Sequence, residues 1–416
     1  MLKSMGLSSR ARWLVALACL ASLPAACARP APHVKLPALT LGEPSFFPTL
    51  EAYTGSPILG GNRVDILLNG EAIFPAQIEA IRAARRSITF ATYWFEDGPV
   101  ARALVDAFVE RCRAGVPTHL LFDSFGSLGM PGEFGETLRQ AGCRVVFFRP
   151  INPLKAEAIP RANNRNHRRV LVTDGAVGFT GGSGVSRKWM GDGRTEGHWR
   201  DTDVRVEGPA VQYLQGAFAE NWLESTGEVL GGEDYFPRLR ERGRVFAQVV
   251  RSSPAGGGVS MYTTFLLAMA SARRSILITN PYFLPDRKML EVLLDAVERG
   301  VRVRVLVPGP IDHNLVRSAS RRHYGKLFEA GVEIHEYRAA LLHAKTLVID
   351  GVWATIGSTN LDNRSFALND ELNLIVYDRD IARRMEATFE ADLAHSERLE
   401  YRQWRARGLF DRLLEL

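Results

Sequence analysis

Two hydrophobic rhythms alternate along this chain from about residue 63 to its end. Runs such as "SITFATYWF", "THLLF", "SILIT" and "VRVLV" set β-branched and other apolar residues side by side and predict buried strands. Between them, "ALVDAFVERCRAG" and "MLEVLLDAVERG" return apolar residues every three or four positions and predict amphipathic helices ended by Gly115 and Gly300. Strands alternating with helices imply an α/β class.

The same succession occurs twice. "ARRSITFATYWF" (84–95) corresponds to "ARRSILITNPYF" (272–283), "AGCRVVFF" (141–148) to "AGVEIHEY" (330–337), and "HRRVLVTDGAVGFTGGSG" (167–184) to "HAKTLVIDGVWATIGSTN" (343–360). This internal repeat predicts two similar lobes, residues 63–243 and 244–416, each a mixed β-sheet flanked by helices. The loop-like "SSPAGGG" (252–258) lies near their junction. Before its histidine the first copy carries a longer loop, "RPINPLKAEAIPRANNRN" (149–166), where the second has "RAAL".

Upstream of the repeat the pattern changes. Lys3, Arg10 and Arg12 precede "WLVALACLASLPAA", an apolar run too short for a stable span, so residues 1–28 read as an export signal. It ends either by cleavage after "ACA" (26–28) or by lipidation at Cys27, and an uncleaved anchor is a third reading. Residues 29–62 are proline-rich, lack either period and predict an extended tether. The 416-residue chain has a formal charge of +6; losing the signal removes three cations and no acids, which leaves 49 basic against 46 acidic residues. So small an excess, with no strong basic stripe interleaved with aromatics, argues against nucleic acid as a partner.

Cys112 and Cys143 then remain, and two unpaired thiols are the default reading, with pairing in an oxidising periplasm the alternative. No cysteine or histidine cluster has the spacing of a metal site. Arg317, Arg321, Arg322 and Lys326 recur at helical spacing and read as a solvated face, with contact to anionic headgroups a lesser reading. The amphipathic "RQWRARGLFDRLLEL" (402–416) either packs on the second lobe or lies in a membrane interface.

The chemistry concentrates in the last repeated stretch. Residues two apart on a strand share a face, so His343 projects with Lys345, and His167 with Arg169. Asp350-Gly351 and Asp174-Gly175 interrupt alternating apolar runs as hairpin turns, which is the role predicted for Asp174 and Asp350. Behind each turn comes a small-residue loop, Gly357-Ser358 or Gly181-Gly182, whose N–H groups can approach a phosphoryl oxygen, with Ser358 and Asn360 adding side-chain donors. Glu371 follows His343, and Asp201 holds the matching place in the first copy; a carboxylate accepting the Nδ1 proton would leave Nε2 for chemistry. Two imidazoles, two cations and two orienting acids around one pocket suit phosphodiester chemistry, one histidine attacking phosphorus and the other acting as acid and then base. Such a site needs no metal or other cofactor, because cations and loop N–H groups stabilise the developing charge.

His343, Lys345, Asp350, Gly357, Ser358 and Asn360 complete the signature H-x-K-x4-D-x6-G-S-x-N, and by it the chain resembles the phospholipase D superfamily. From about residue 63 on, "LLNGEAIFPAQIEAI", "TYWFEDG" and "WRDTDVRVEGPAV" are similar to bacterial cardiolipin synthases. The resemblance implies a pseudo-twofold phospholipase D-like fold and joining of two phosphatidylglycerol molecules with release of glycerol at a membrane surface. It also implies His167 as nucleophile and His343 as acid and base. Both half-sites lie in one chain, so no oligomer is required. With the export signal, it implies a peripheral or lipid-anchored protein on the periplasmic side of the bacterial inner membrane. A hydrolase releasing phosphatidic acid, a nuclease and a lipid-binding protein without activity are the competing readings. The first copy departs from the signature at Arg169, Gly182 and Gly184, and is expected to hold phosphate nonetheless.

Overall fold

A computed structural model describes residues 34–150, 163–254, 260–309, 321 and 324–406. The export signal with Cys27, residues 151–162 of the insertion, Arg317 and Arg322 of the basic stretch, and residues 407–416 of the amphipathic tail lie outside the described residues.

The apolar runs form strands because they are buried on both faces, which alternation alone would not have revealed. In the first copy these are β1 (Leu59–Leu68), β2 (Ile88–Thr92), β3 (Thr118–Asp123), β4 (Arg144–Phe148), β5 (Val170–Thr173), β6 (Val177–Gly181) and β7 (Thr202–Glu207). The second contributes β8 (Val245–Ser252), β9 (Ser275–Thr279), β10 (Arg302–Pro308), β11 (Glu333–Tyr337), β12 (Thr346–Ile349), β13 (Trp353–Gly357), β14 (Glu371–Tyr377) and β15 (Ser396–Arg398). Among the described residues all join one 15-stranded sheet in the order β15-β11-β10-β9-β12-β13-β14-β8-β1-β7-β6-β5-β2-β3-β4. Outward from the antiparallel β8–β1 pair the two halves run through equivalent strands, so the repeat appears as a pseudo-twofold about the sheet's middle. Within each half β2-β3-β4 or β9-β10-β11 pair in parallel, and β5-β6-β7 or β12-β13-β14 are antiparallel.

The hairpin turns behave as their sequence predicts, with a further duty. Asp174 and Asp350 both sit at φ 54°, followed by Gly175 and Gly351 at 61° and 62°, the left-handed pair that a type I′ turn requires. Each aspartate also accepts the backbone N–H groups entering the preceding strand: Asp350 from Arg273, Arg274 and Ser275 at 2.7–2.9 Å, and Asp174 from Arg85, Arg86 and Ser87 at 2.7–3.2 Å. The signature aspartate is thus a clamp between the repeated "ARRS" segment and the site hairpin.

Two expectations are corrected. Residues 46–62, read as tether, are folded: Phe46–Thr54 is a helix and β1 begins at Leu59. Phe46 and Leu50, one turn apart, are fully buried, Phe47 meets Tyr377 edge-to-face at 4.6 Å between ring centres, and Gln248 donates to the Ser56 carbonyl at 2.7 Å. Pro48 lies in the first helical turn, where its missing N–H costs no hydrogen bond, so the prolines that suggested a tether do not prevent the helix. The second correction is that Cys112 and Cys143 form a disulfide, tying the end of helix Pro99–Arg113 to the entrance of β4 with 5.5 Å between Cα atoms. The repeat carried no information about this pairing, since the second copy has no cysteines.

Between the halves, apolar packing is continuous: Val204, Val206, Phe218 and Trp222 share a core with Leu374, Val376 and Phe389. Through it passes Arg168, 1% exposed, whose guanidinium donates to the carbonyls of Ala217 (2.9 Å), Ser252 (3.1 Å) and Glu371 (3.4 Å) and to Asn221 (3.1 Å). Those carbonyls belong to both copies, and without the guanidinium they stay buried with fewer donors. Arg168→Met is expected to lower stability by about 3 kcal/mol or more, measured by urea unfolding.

Candidate functional site

Each signature histidine enters the site just ahead of a strand, His167 before β5 and His343 before β12. What aims them is a pair of backbone hydrogen bonds between the copies. The His343 N–H donates to the Arg200 carbonyl at 2.8 Å, and the His167 N–H to the Asp370 carbonyl at 2.9 Å. Arg200 and Asp370 each immediately precede a site acid. The acids therefore meet the histidine of the opposite copy: His343 Nδ1 lies 2.8 Å from Asp201 Oδ2, and His167 Nδ1 lies 3.4 Å from Glu371 Oε1. Sequence placed one acid after each histidine and was silent on this exchange.

With Nδ1–H given to a carboxylate, each ring keeps its Nε2 lone pair. Burial pushes the His343 imidazole down to about 4, with the Lys345 ammonium beside it acting in the same direction and Asp201 opposing. His167 is likewise held below the usual histidine range by burial, against the pull of Glu371. Asp201 stays down at about 2, because its donors His343 and Trp189 and the charge of Lys345 outweigh the opposing effect of burial.

The cations are buried. Lys345, 2% exposed, places Nζ 2.8 Å from His343 Nδ1 and 3.0 Å from Nε2. Arg169, 7% exposed, donates to its neighbour's carbonyl at His167, lies over the Tyr93 ring at 5.8 Å and adds its charge to the field at His343. Its Nε is buried and, among the described residues, has no hydrogen-bond partner.

The loops are less uniform than expected. Ser358, expected to reach a phosphate, donates here to Glu371 Oε2 at 2.5 Å and accepts from the Leu372 N–H at 3.0 Å. Asn360 is 4% exposed, and its Oδ1 has no partner among the described residues. The first copy has no serine at this place; there the carboxylate of Asp201 accepts the Trp189 indole N–H at 2.8 Å. Tyr93, just past the end of β2, lies tilted against His167 with 4.2 Å between ring centres, and Asn369 brings Nδ2 3.4 Å from both His167 Nδ1 and Glu371 Oε1. Trp189, Asn369 and Tyr93 have no identical residue in the other copy, so the repeat could not have signalled them.

Behind Arg169 lies a further acid that sequence reasoning passed over. Asp203 is fully enclosed, and burial followed by the charge of Asp201 pushes its carboxyl up to about 6, although Ser183 donates to it through Oγ (2.6 Å) and N–H (3.1 Å). Its counterpart is the neutral Asn373, which accepts from Thr359 Oγ1 at 2.7 Å.

Comparison with known proteins bears on this geometry. A family model described as "Cardiolipin synthase, PLD-like domain" matches residues 266–393. "Cardiolipin synthase 1" of Bacillus anthracis is 32% identical over 374 residues, covering 88% of this chain and 73% of that one. "Cardiolipin synthase A" of Pseudomonas aeruginosa (strain LESB58) is 37% identical over 343 residues, 82% of this chain and 69% of that one. Among solved structures, phosphatidylserine synthase from Haemophilus influenzae Rd KW20 aligns with a TM-score of 0.61 at 14% identity, covering 86% of this chain and 93% of that one. A polyphosphate kinase from Porphyromonas gingivalis aligns at 0.55 and 13%, covering 92% and 54%. At such identities the two structures speak for the fold alone, and they agree with the two-lobed α/β architecture.

Two outcomes follow for the site. Asp201→Asn should lower the titration of His343 further and leave that of His167 in place, and Glu371→Gln should do the converse, read by NMR of 15N-labelled histidine. Asp203→Asn concerns stability. A carboxyl raised from 3.8 to about 6 on folding costs stability as pH rises through that window. The variant should therefore melt higher than the parent at pH 8 and alike at pH 3.5, compared by calorimetry.

Proposed function

The chain belongs to the cardiolipin synthase family of phospholipase D-like proteins, and we propose that it is a phosphatidyltransferase that makes cardiolipin from two phosphatidylglycerol molecules, releasing glycerol. The observation that carries this reading is the crossed pair of imidazoles, each with Nδ1 against an acid of the opposite copy and with buried Arg169 and Lys345 alongside.

In the first half-reaction Nε2 of His167 attacks phosphorus; the N–P bond forms as the P–O bond to glycerol breaks, and His343 gives its proton to the departing oxygen. In the second, His343 takes the proton from a hydroxyl of another phosphatidylglycerol, whose oxygen attacks phosphorus and releases His167. Neutral His167 is the form a nucleophile requires, and burial keeps it so. His343 must instead gain a proton, and a phosphodiester anion beside Lys345 offsets the cation that disfavours it. Arg169 and Lys345 stabilise the equatorial oxygens of the transition state.

The Cys112–Cys143 disulfide favours an oxidising compartment and so supports action on the periplasmic face of the inner membrane. Among the described residues no helix is long and apolar enough to cross a membrane, and attachment is assigned to the signal region or to Cys27. Lipid substrates agree with the small net charge of the mature chain.

The test is incubation of purified protein with phosphatidylglycerol vesicles in chelator, with products identified by mass spectrometry. Cardiolipin with glycerol is the expected result. Phosphatidic acid alone would mean that water resolves the intermediate, and DNA cleavage without lipid turnover would remove the lipid reading. His167→Ala and His343→Ala should each abolish nearly all turnover, because the two rings act as one unit.

A further inference from the structure

The two copies support their acids by different means. In the second, the Ser358 hydroxyl donates to Glu371 Oε2 at 2.5 Å. In the first, the matching residue is Gly182, and a Cβ there would come within 2.3 Å of Asp201 Oδ1. Two positions on, a Cβ at Gly184 would lie 2.8 Å from Cβ of Trp94 and 3.0 Å from two ring carbons of Trp189. The space surrendered at 182 and 184 is thus filled by the Asp201 carboxylate and by an indole.

That indole is placed to act. Trp189 ends the short 3-10 turn Arg187–Trp189, is 1% exposed, and donates Nε1–H to Asp201 Oδ2 at 2.8 Å. The same oxygen faces Nδ1 of His343, while Asp201 Oδ1 accepts the Thr202 N–H at 2.8 Å. The Trp189 ring also stands edge-on to the His343 ring, 5.1 Å between centres at 86°.

We propose that Trp189 is a positioning residue for His343, its indole N–H doing in the first copy what the Ser358 hydroxyl does in the second, so that the glycines at 182 and 184 are accommodations to the tryptophan. The role in turnover rests on the phosphatidyltransferase reading; the hydrogen bond and its effect on His343 do not. Three donors hold the Asp201 carboxylate in one orientation. The indole N–H also shares the electron density that would otherwise go to the imidazole, which tempers the pull of Asp201 on the His343 proton. Unlike a hydroxyl, an indole has no lone pair to offer and cannot rotate its donor away, so the arrangement is the stiffer of the two.

Trp189→Phe removes the N–H, and Trp94→Phe serves as its packing control. Trp94 belongs to the same aromatic cluster, 6.0 Å from Trp189 between ring centres, and its buried indole N–H has no partner among the described residues. In Trp189→Phe the His343 titration should rise by about one unit, since Asp201 becomes a stronger acceptor. Phosphatidyl transfer should fall about tenfold in kcat with KM unchanged, the pattern of a loss confined to the transition state. Trp94→Phe should leave the His343 titration where it was. If Phe at 189 prevents folding, benzothienylalanine in place of Trp189 keeps the bicyclic shape without the N–H and should give the same shift. An unmoved His343 titration with kcat within twofold of the parent, or equal shifts in both Phe variants, overturns the proposal. A parent that makes no cardiolipin would refute the phosphatidyltransferase reading, and the NMR titration would still judge Trp189.

Discussion

The centre of this molecule depends on two backbone hydrogen bonds that run from one copy of the repeat to the other. Because each histidine amide is tied to the carbonyl just before an acid, His343 to Arg200 and His167 to Asp370, each ring is delivered to a carboxylate of the opposite copy. A lobe on its own would hold a histidine without its acid and an acid without its histidine. The continuous core across the sheet and the Arg168 guanidinium between the copies serve that exchange by holding the two halves in one register.

The polar interior is assembled against its own electrostatics. Two cations, His343 and the acids Asp201, Asp203 and Glu371 are removed from water, with His167 mostly so, and burial disfavours the charged forms of both histidines and of Asp203. Hydrogen bonds and opposed charges recover part of the loss, unequally in the two copies. In the position equivalent to Asp203 the second copy has the neutral Asn373, bonded to Thr355 and Thr359. Near Arg169 the first has Asp203, an added negative charge beside the bulkier guanidinium. The strain falls where substrate would arrive, a common place for a folded protein to hold its least favourable contacts.

Much of this was legible in the chain. The repeat predicted equivalent strands and helices, and Asp-Gly at 174 and 350 predicted the hairpins, because those signals are local and occur twice. His167, His343, Arg169 and Lys345 were visible through two-residue strand spacing. Pairings between copies were not, since no spacing distinguishes an acid serving its own lobe from one serving the other. Ser358 was assigned to phosphate because a hydroxyl in a glycine loop suits either partner, and only geometry shows it bound to Glu371. The helix Phe46–Thr54 was missed because the prolines of residues 29–62 outweighed a short apolar stripe, and Trp189 because it occurs in only one copy.

That helix has a consequence for how the molecule is made. Nine residues cannot sustain a helix in water unaided. Its partners Gln248 and Tyr377 are synthesised some two hundred and three hundred residues later. Among the described residues, the first folded segment to leave the ribosome is therefore among the last to be seated, since its place is completed only by strands of the second copy.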